Sequence, residues 1–212
     1  MLKDIEISEF LCAKFCHDLA GPIGAINNGI DFFDSSNEQM RAKAYELVRM
    51  SSKQAVNRLT FFRQAYGNIA TGNETHLMEL RSLILKFMED SKLQLDFIDS
   101  ASDNNDVVDS KLGKLLINVV LIASHVIMTN GLISVIVERS KGQSKILVSA
   151  EGPSHKVEEE LLKILSWKLD GIEISSRNIQ HYYTALLAKE LKTSVAIHEE
   201  GNKVYFTFVS NT

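Results

Sequence analysis

Two apolar stripes at helical spacing, parted by a short polar turn, dictate what the first third of this chain can become. In the first, Leu11, Phe15, Leu19, Ile26, Ile30 and Phe33 return to one side of a helix read from about Ile7 to Phe33. In the second, Tyr45, Val48, Ala55, Leu59, Phe62 and Tyr66 follow the spacing of a bundle seam along a helix from about Glu38 to Asn68. Asp34, Ser35, Ser36 and Asn37 make the turn, with Ser35 and Glu38 placed as a capping box for the second helix. A hairpin of two helices cannot bury such stripes by itself. A second copy would complete a four-helix bundle, so the expected state is a homodimer. Packing against the chain's own second half is the alternative.

The first helix carries the most unusual stretch, Phe15 to Asn28, which reads FCHDLAGPIGAINN. Helical steps place His17, Gly21, Gly24 and Asn28 on one face, so the imidazole stands over two side chains of almost no volume. Each glycine costs a helix roughly 1 kcal/mol relative to alanine. Close approach of another protein to His17 is one reason to keep them; tight helix packing inside a bundle is the other. Asp18 follows the histidine directly and is the candidate partner for its ring, although a solvated carboxylate would look the same. Pro22 has no N–H to give the carbonyl of Asp18, a setting for a kink beside the histidine. Asn27 and Asn28 are candidate partner contacts or backbone caps. Arg41, Arg49, Arg58 and Arg63 could pair with acids on a partner, but solvated arginines are the commoner case on helices. Cys12 and Cys16 lie one turn apart, awkward for a disulfide and without a second ligand pair for zinc, and read as reduced, buried structural thiols.

Beyond Asn68–Asn73 the pattern changes, which sets the domain expectation at 1–70 for the hairpin and 74–212 for the remainder. Helices are expected over about His76–Ser91, Lys111–Met128, Val157–Leu169 and Asn178–Leu191. Strands are expected over about Leu93–Ile98, Gly131–Val137, Lys145–Ala150, Val195–His198 and Val204–Val209, with Lys141-Gly142 as one hairpin turn. The fold class is therefore α+β, a helical hairpin followed by a two-layer α/β sandwich. A net charge of −4 without a basic cluster argues against nucleic acid as partner. The acidic start lacks a signal-peptide run, and the most apolar stretch, Leu115 to Met128, is broken by Asn118 and His125, so no membrane association and a cytoplasmic location are expected. His76, His125, His155, His181 and His198 are scattered without metal-ligand spacing.

A helix-borne histidine with an adjacent acid and a proline close behind resembles the H-box of dimeric histidine kinases and histidine phosphotransferases. The run from His17 and Asp18 through Leu19, Pro22, Ile23, Gly24, Ala25, Ile26, Asn27, Asn28 and Gly29 resembles the ChpT-type histidine phosphotransferases in particular. The two-part plan resembles that family over essentially the whole chain. What the resemblance implies is a homodimeric relay protein, with a degenerate histidine-kinase ATPase-like sandwich as its second part. His17 would receive a phosphoryl group from the receiver aspartate of a hybrid histidine kinase and pass it to the receivers of response regulators. Asp18 would assist catalysis, while Gly21, Gly24, Asn27 and Asn28 would meet the partner. The Mg²⁺ would come with the receiver domain, so no intrinsic cofactor is implied. Related kinases that also remove phosphate carry Thr or Asn where Gly21 stands, which implies transfer without hydrolysis.

Kinase sandwiches need an asparagine for magnesium, a D-x-G-x-G loop for adenine and a glycine-rich lid for phosphates. Here Ile122 stands at the metal position, Ser149-Ala150-Glu151-Gly152-Pro153-Ser154 replaces the adenine loop, and Ser175-Ser176-Arg177-Asn178-Ile179-Gln180 holds no glycine. ATP binding is not expected. Two alternatives stay open: a non-catalytic dimeric module that holds receivers or kinases, and an ATP-dependent kinase core with degenerate boxes.

Overall fold

The computed structural model describes residues 2–67, 74–89, 91–100, 106–140 and 142–211. Two long helices, α1 (Asp4–Ile30) and α2 (Glu38–Tyr66), form the expected hairpin. The cap of α2 differs from expectation: Asn37, not Ser35, accepts from the backbone N–H of Met40, while the Ser35 hydroxyl accepts from Asn37 N–H. An asparagine directly before the helix reaches its free donors more simply than a capping box begun earlier. Gly29 lets the helices close on one another, since a Cβ there would stand 2.5 Å from Val48 Cγ2.

The remainder is a five-stranded sheet with helices on one face. Its elements are β2 (Leu93–Asp99), β4 (Gly131–Ser140), β5 (Gln143–Glu151), β6 (Ala196–Glu200) and β7 (Lys203–Asn211), in the order β2-β4-β5-β7-β6. All pairs are antiparallel except β2 with β4. Period-two patterning buries Ile133, Val135 and Val137 of β4, Ile146, Val148 and Ala150 of β5, and Val204, Phe206 and Phe208 of β7. Onto this face pack α3 (Leu77–Met88), α4 (Ser110–Val126), α5 (Glu159–Leu165) and α6 (Ile179–Glu190). Helix α4 is buried on nearly every side, and the Asp109 carboxylate caps it by accepting from Lys111 and Leu112 N–H. A small sheet of β1 (Glu74–His76) and β3 (Val107–Asp109) was not foreseen, because three residues a side are too short to show a period.

The proposed boundary segment 68–73 lies outside the described residues, as does Lys141 of the expected turn; Gly142 of that turn takes φ +73°. The core does not stop between the two regions. Phe61, Phe62 and Ala65 of α2 are buried in one cluster with Leu77, Leu115 and Tyr182. The expected stripes are therefore covered unevenly. Phe62 is buried, but Ile30, Phe33, Tyr45 and Leu59 stay exposed, since a stripe shows which side is apolar and not what covers it.

Candidate functional site

The face carrying His17 is open. His17, Gly21, Gly24, Asn27 and Asn28 are all exposed, and a Cβ added at Gly21 or Gly24 would meet nothing within 4 Å. Packing within this chain thus gives neither glycine a reason; the glycine that packs is Gly29. The His17 side chain is 88% exposed, with Nδ1 3.3 Å from Asp18 Oδ1. That contact turns Nε2 outward as the reachable nitrogen when the ring is neutral and Nδ1 carries the proton. Asp18 itself is mostly covered and is held from a second side by Lys14 Nζ, 3.1 Å from Oδ2. A carboxylate held between an ammonium and an imidazole fixes the ring and can balance positive charge on it.

Pro22 is buried inside an α1 that continues past it, and the carbonyl it leaves free is not unsatisfied. Arg58 Nη1 of α2 donates to the Asp18 carbonyl oxygen at 2.7 Å. Sequence reading grouped Arg58 with three other arginines and missed this role. The missing N–H of Pro22 was the signal, because a helix carbonyl without its donor calls for another. One turn along, Phe15 and Phe62 meet edge to face, with centroids 5.7 Å apart.

A second unforeseen group joins the base of the hairpin to the sandwich. Asn118 is fully buried; its Nδ2 donates to the carbonyls of Ala65 and Lys114 at 3.1 and 2.8 Å, and its Oδ1 accepts from Gln180 Nε2 at 2.8 Å. The Tyr66 hydroxyl donates to Gln180 Oε1, and Lys114 Nζ donates to the Gly67 carbonyl at 2.5 Å. Carbonyls at the end of a helix have no intrahelical donors, and here polar side chains of α4 supply them. Burial pushes the Tyr66 phenol well above its usual range, with the nearby Asp18 carboxylate adding to the shift. Burial also lowers Lys114.

The cysteines depart from expectation. Cys12 and Cys16 are free and both exposed, because their side of α1 faces neither α2 nor the sandwich, and the neighbouring Cys12 raises the Cys16 thiol. Among the described residues no group of three His, Cys, Asp or Glu side chains could hold a metal ion, and no helix is long and apolar enough to cross a membrane.

Between α4 and the start of α6 lies a cavity of about 330 Å³ lined by Ile122, His125, Val126, Lys156, Arg177 and His181, among others. Ile122 is buried and offers no oxygen ligand. Lys156 is paired with Glu158 at 2.8 Å. The segment before α6 is tied to itself and to α5: Asn178 Oδ1 accepts from Ser175 N–H, and its Nδ2 donates to the Glu173 carbonyl and to the Glu160 carboxylate of α5. Burial pushes the His181 imidazole down to about 4, and its buried Nδ1 has no partner among the described residues.

Comparison with known proteins agrees with this plan. Residues 77–203 match the family model described as histidine phosphotransferase C-terminal domain. The protein phosphotransferase ChpT of Brucella abortus is 26% identical over 207 residues, 97% of this chain and 96% of its own. The solved structure of a bacterial phosphotransferase superposes with a TM-score of 0.87 at 26% identity, covering 98% of each chain. The catalytic domain of histidine kinase ThkA matches more loosely, with a TM-score of 0.49 at 22% identity over 65% of this chain and 93% of its own.

Proposed function

The chain belongs to the histidine phosphotransferase family, and on that premise we propose that it is a phosphorelay protein whose phosphoryl carrier is His17. The observation that carries the reading is the exposed His17 ring, aligned by Asp18 on a face cleared by Gly21 and Gly24. In this reading the Nε2 lone pair attacks phosphorus of a receiver phosphoaspartate. The P–O bond to the aspartate breaks, and the receiver recovers its carboxylate. The Asp18 carboxylate steadies the phosphoimidazolium through Nδ1–H. The reverse sequence delivers the group to a second receiver. The receivers of a hybrid kinase and of response regulators are the proposed donor and acceptors, and they bring the Mg²⁺ that balances phosphoryl charge.

Two further features support this reading. Buried Ile122 and the self-tied segment at Ser175–Asn178 favour a sandwich that docks receivers rather than one that binds ATP. Ile23 and Ile30, and Met40 and Leu47, are exposed pairs at heptad spacing near the tip of the hairpin, the pattern a homodimeric four-helix bundle would cover. Residues 1–70 would then carry dimerisation and phosphotransfer, and 74–212 the docking surface. The test is to incubate the protein with a phosphorylated receiver domain and locate the label. Acid-labile, alkali-stable label on the His17 peptide is the expected result. Label absent or on another residue would refute it.

A further inference from the structure

In an unbroken α-helix the carbonyl of Asp18 accepts from the backbone N–H of residue 22, and Pro22 has none. The donor comes instead from the neighbouring helix, through Arg58 Nη1 at 2.7 Å. We propose that Arg58 is a positioning residue for phosphoryl transfer, a cross-helix donor that holds the backbone beside His17 in place of the missing helix bond. The inference rests on the phosphotransfer reading above and adds to it the residue that sets the geometry of the carrier.

The surroundings favour this role. Asp18 is fixed at three points: its carboxylate by Lys14 and by the His17 ring, and its carbonyl by Arg58. Loss of Arg58 frees the peptide that follows Asp18 without removing either the His17 or the Asp18 side chain. Arg58 is half-buried, reaches from α2 to the Asp18 carbonyl of α1, and lines a small cavity of about 180 Å³ with Gln54, Ser124 and His125. A guanidinium spans that gap with donors in a fixed plane, which a flexible ammonium does not. Phe15 and Phe62 also join the two helices one turn away, so the hairpin keeps a contact there without the arginine bond. Transfer in line between two proteins is sensitive to displacements of about 1 Å.

The exchange of one donor for another makes the idea separable from a general loss of stability. In Pro22→Ala the helix N–H returns and can serve the Asp18 carbonyl, so Arg58 becomes redundant. The experiment compares wild type, Arg58→Met, Pro22→Ala and the double variant, by unfolding and by single-turnover transfer from a phosphorylated receiver domain. Arg58→Met is expected to slow transfer at saturating receiver by about tenfold, with apparent affinity unchanged. In the Pro22→Ala background the same change is expected to cost about twofold or less. Equal losses in both backgrounds, a loss confined to receiver affinity, or no loss at all would overturn the proposal. The unfolding arm needs no phosphate: Arg58→Met should lower the midpoint more in the wild-type background than in the Pro22→Ala background, and equal shifts would refute the donor exchange. A wild-type protein that takes no label would refute the phosphotransfer reading and leave that coupling still measurable.

Discussion

The two ends of the helical hairpin treat similar apolar surfaces in opposite ways. At the base, Phe61, Phe62 and Ala65 sink into the core of the sandwich, and Asn118 and Lys114 occupy the carbonyls where α2 ends. At the tip, Ile23, Ile30, Phe32, Met40, Leu47 and Met50 face water, with Gly29 holding the two helices close. The base is closed by the same chain, while the tip is left open by it. His17 lies between them, on the side of α1 turned from Ile23 and Ile30 by helical phase. In the proposed dimer, a receiver would reach the histidine while a second copy covers the tip. The polar lock at the base would also hold the sandwich at a fixed place beside the site.

The largest expected effect falls on the tip. Leu47→Glu with Met50→Glu should convert a dimer to monomers in sedimentation, with little change in a monomer's fold, because both residues are exposed. A dimer unaffected by these charges would place the interface elsewhere. Next comes the lock. Asn118→Leu strands the Ala65 carbonyl and a Gln180 amide in the interior, and should lower stability by about 2–4 kcal/mol in denaturant unfolding. A cost under about 0.5 kcal/mol would mean that water reaches these groups.

Acid should weaken the sandwich through His181. Its folded value near 4 lies below its ordinary 6.5, so the unfolded chain binds the proton more readily between those values. That contribution is fully present above about pH 6.5 and is lost as pH falls toward 4. His181→Phe should flatten the fall of melting temperature between about pH 7 and 4.5; an unchanged slope would assign acid sensitivity to other groups. The smallest effect is on the open face, where Gly24→Ala should raise helix stability by up to about 1 kcal/mol. If the glycine serves a partner, the same change should slow transfer; faster or unchanged transfer would show that the space is not used.

How much of this was legible follows from which signals are local. Long periodic stretches placed α1, α2, α4 and the five strands of the main sheet to within a few residues, because burial imposes a period wherever an element is long. The β1–β3 pair was too short to leave one. The run around His17 was legible because glycines and a proline inside a helix are locally expensive, and the structure leaves that face open. Arg58, Asn118 and Gln180 were not legible, since their partners lie 40, 53 and 62 residues away in the chain. Cap choice was misread for a different reason: Ser35 and Asn37 are both good capping residues, and only backbone geometry selects between them.

The most direct test of His17 as a relay carrier is a radiolabel transfer assay with two phosphate donors. One arm supplies the protein with ATP alone, and the other with a phosphorylated receiver domain. Label taken from the receiver, none from ATP, and none in His17→Ala is the expected result. Label from ATP alone would make the chain a kinase, and no label from either despite measurable receiver binding would make it an inert docking module.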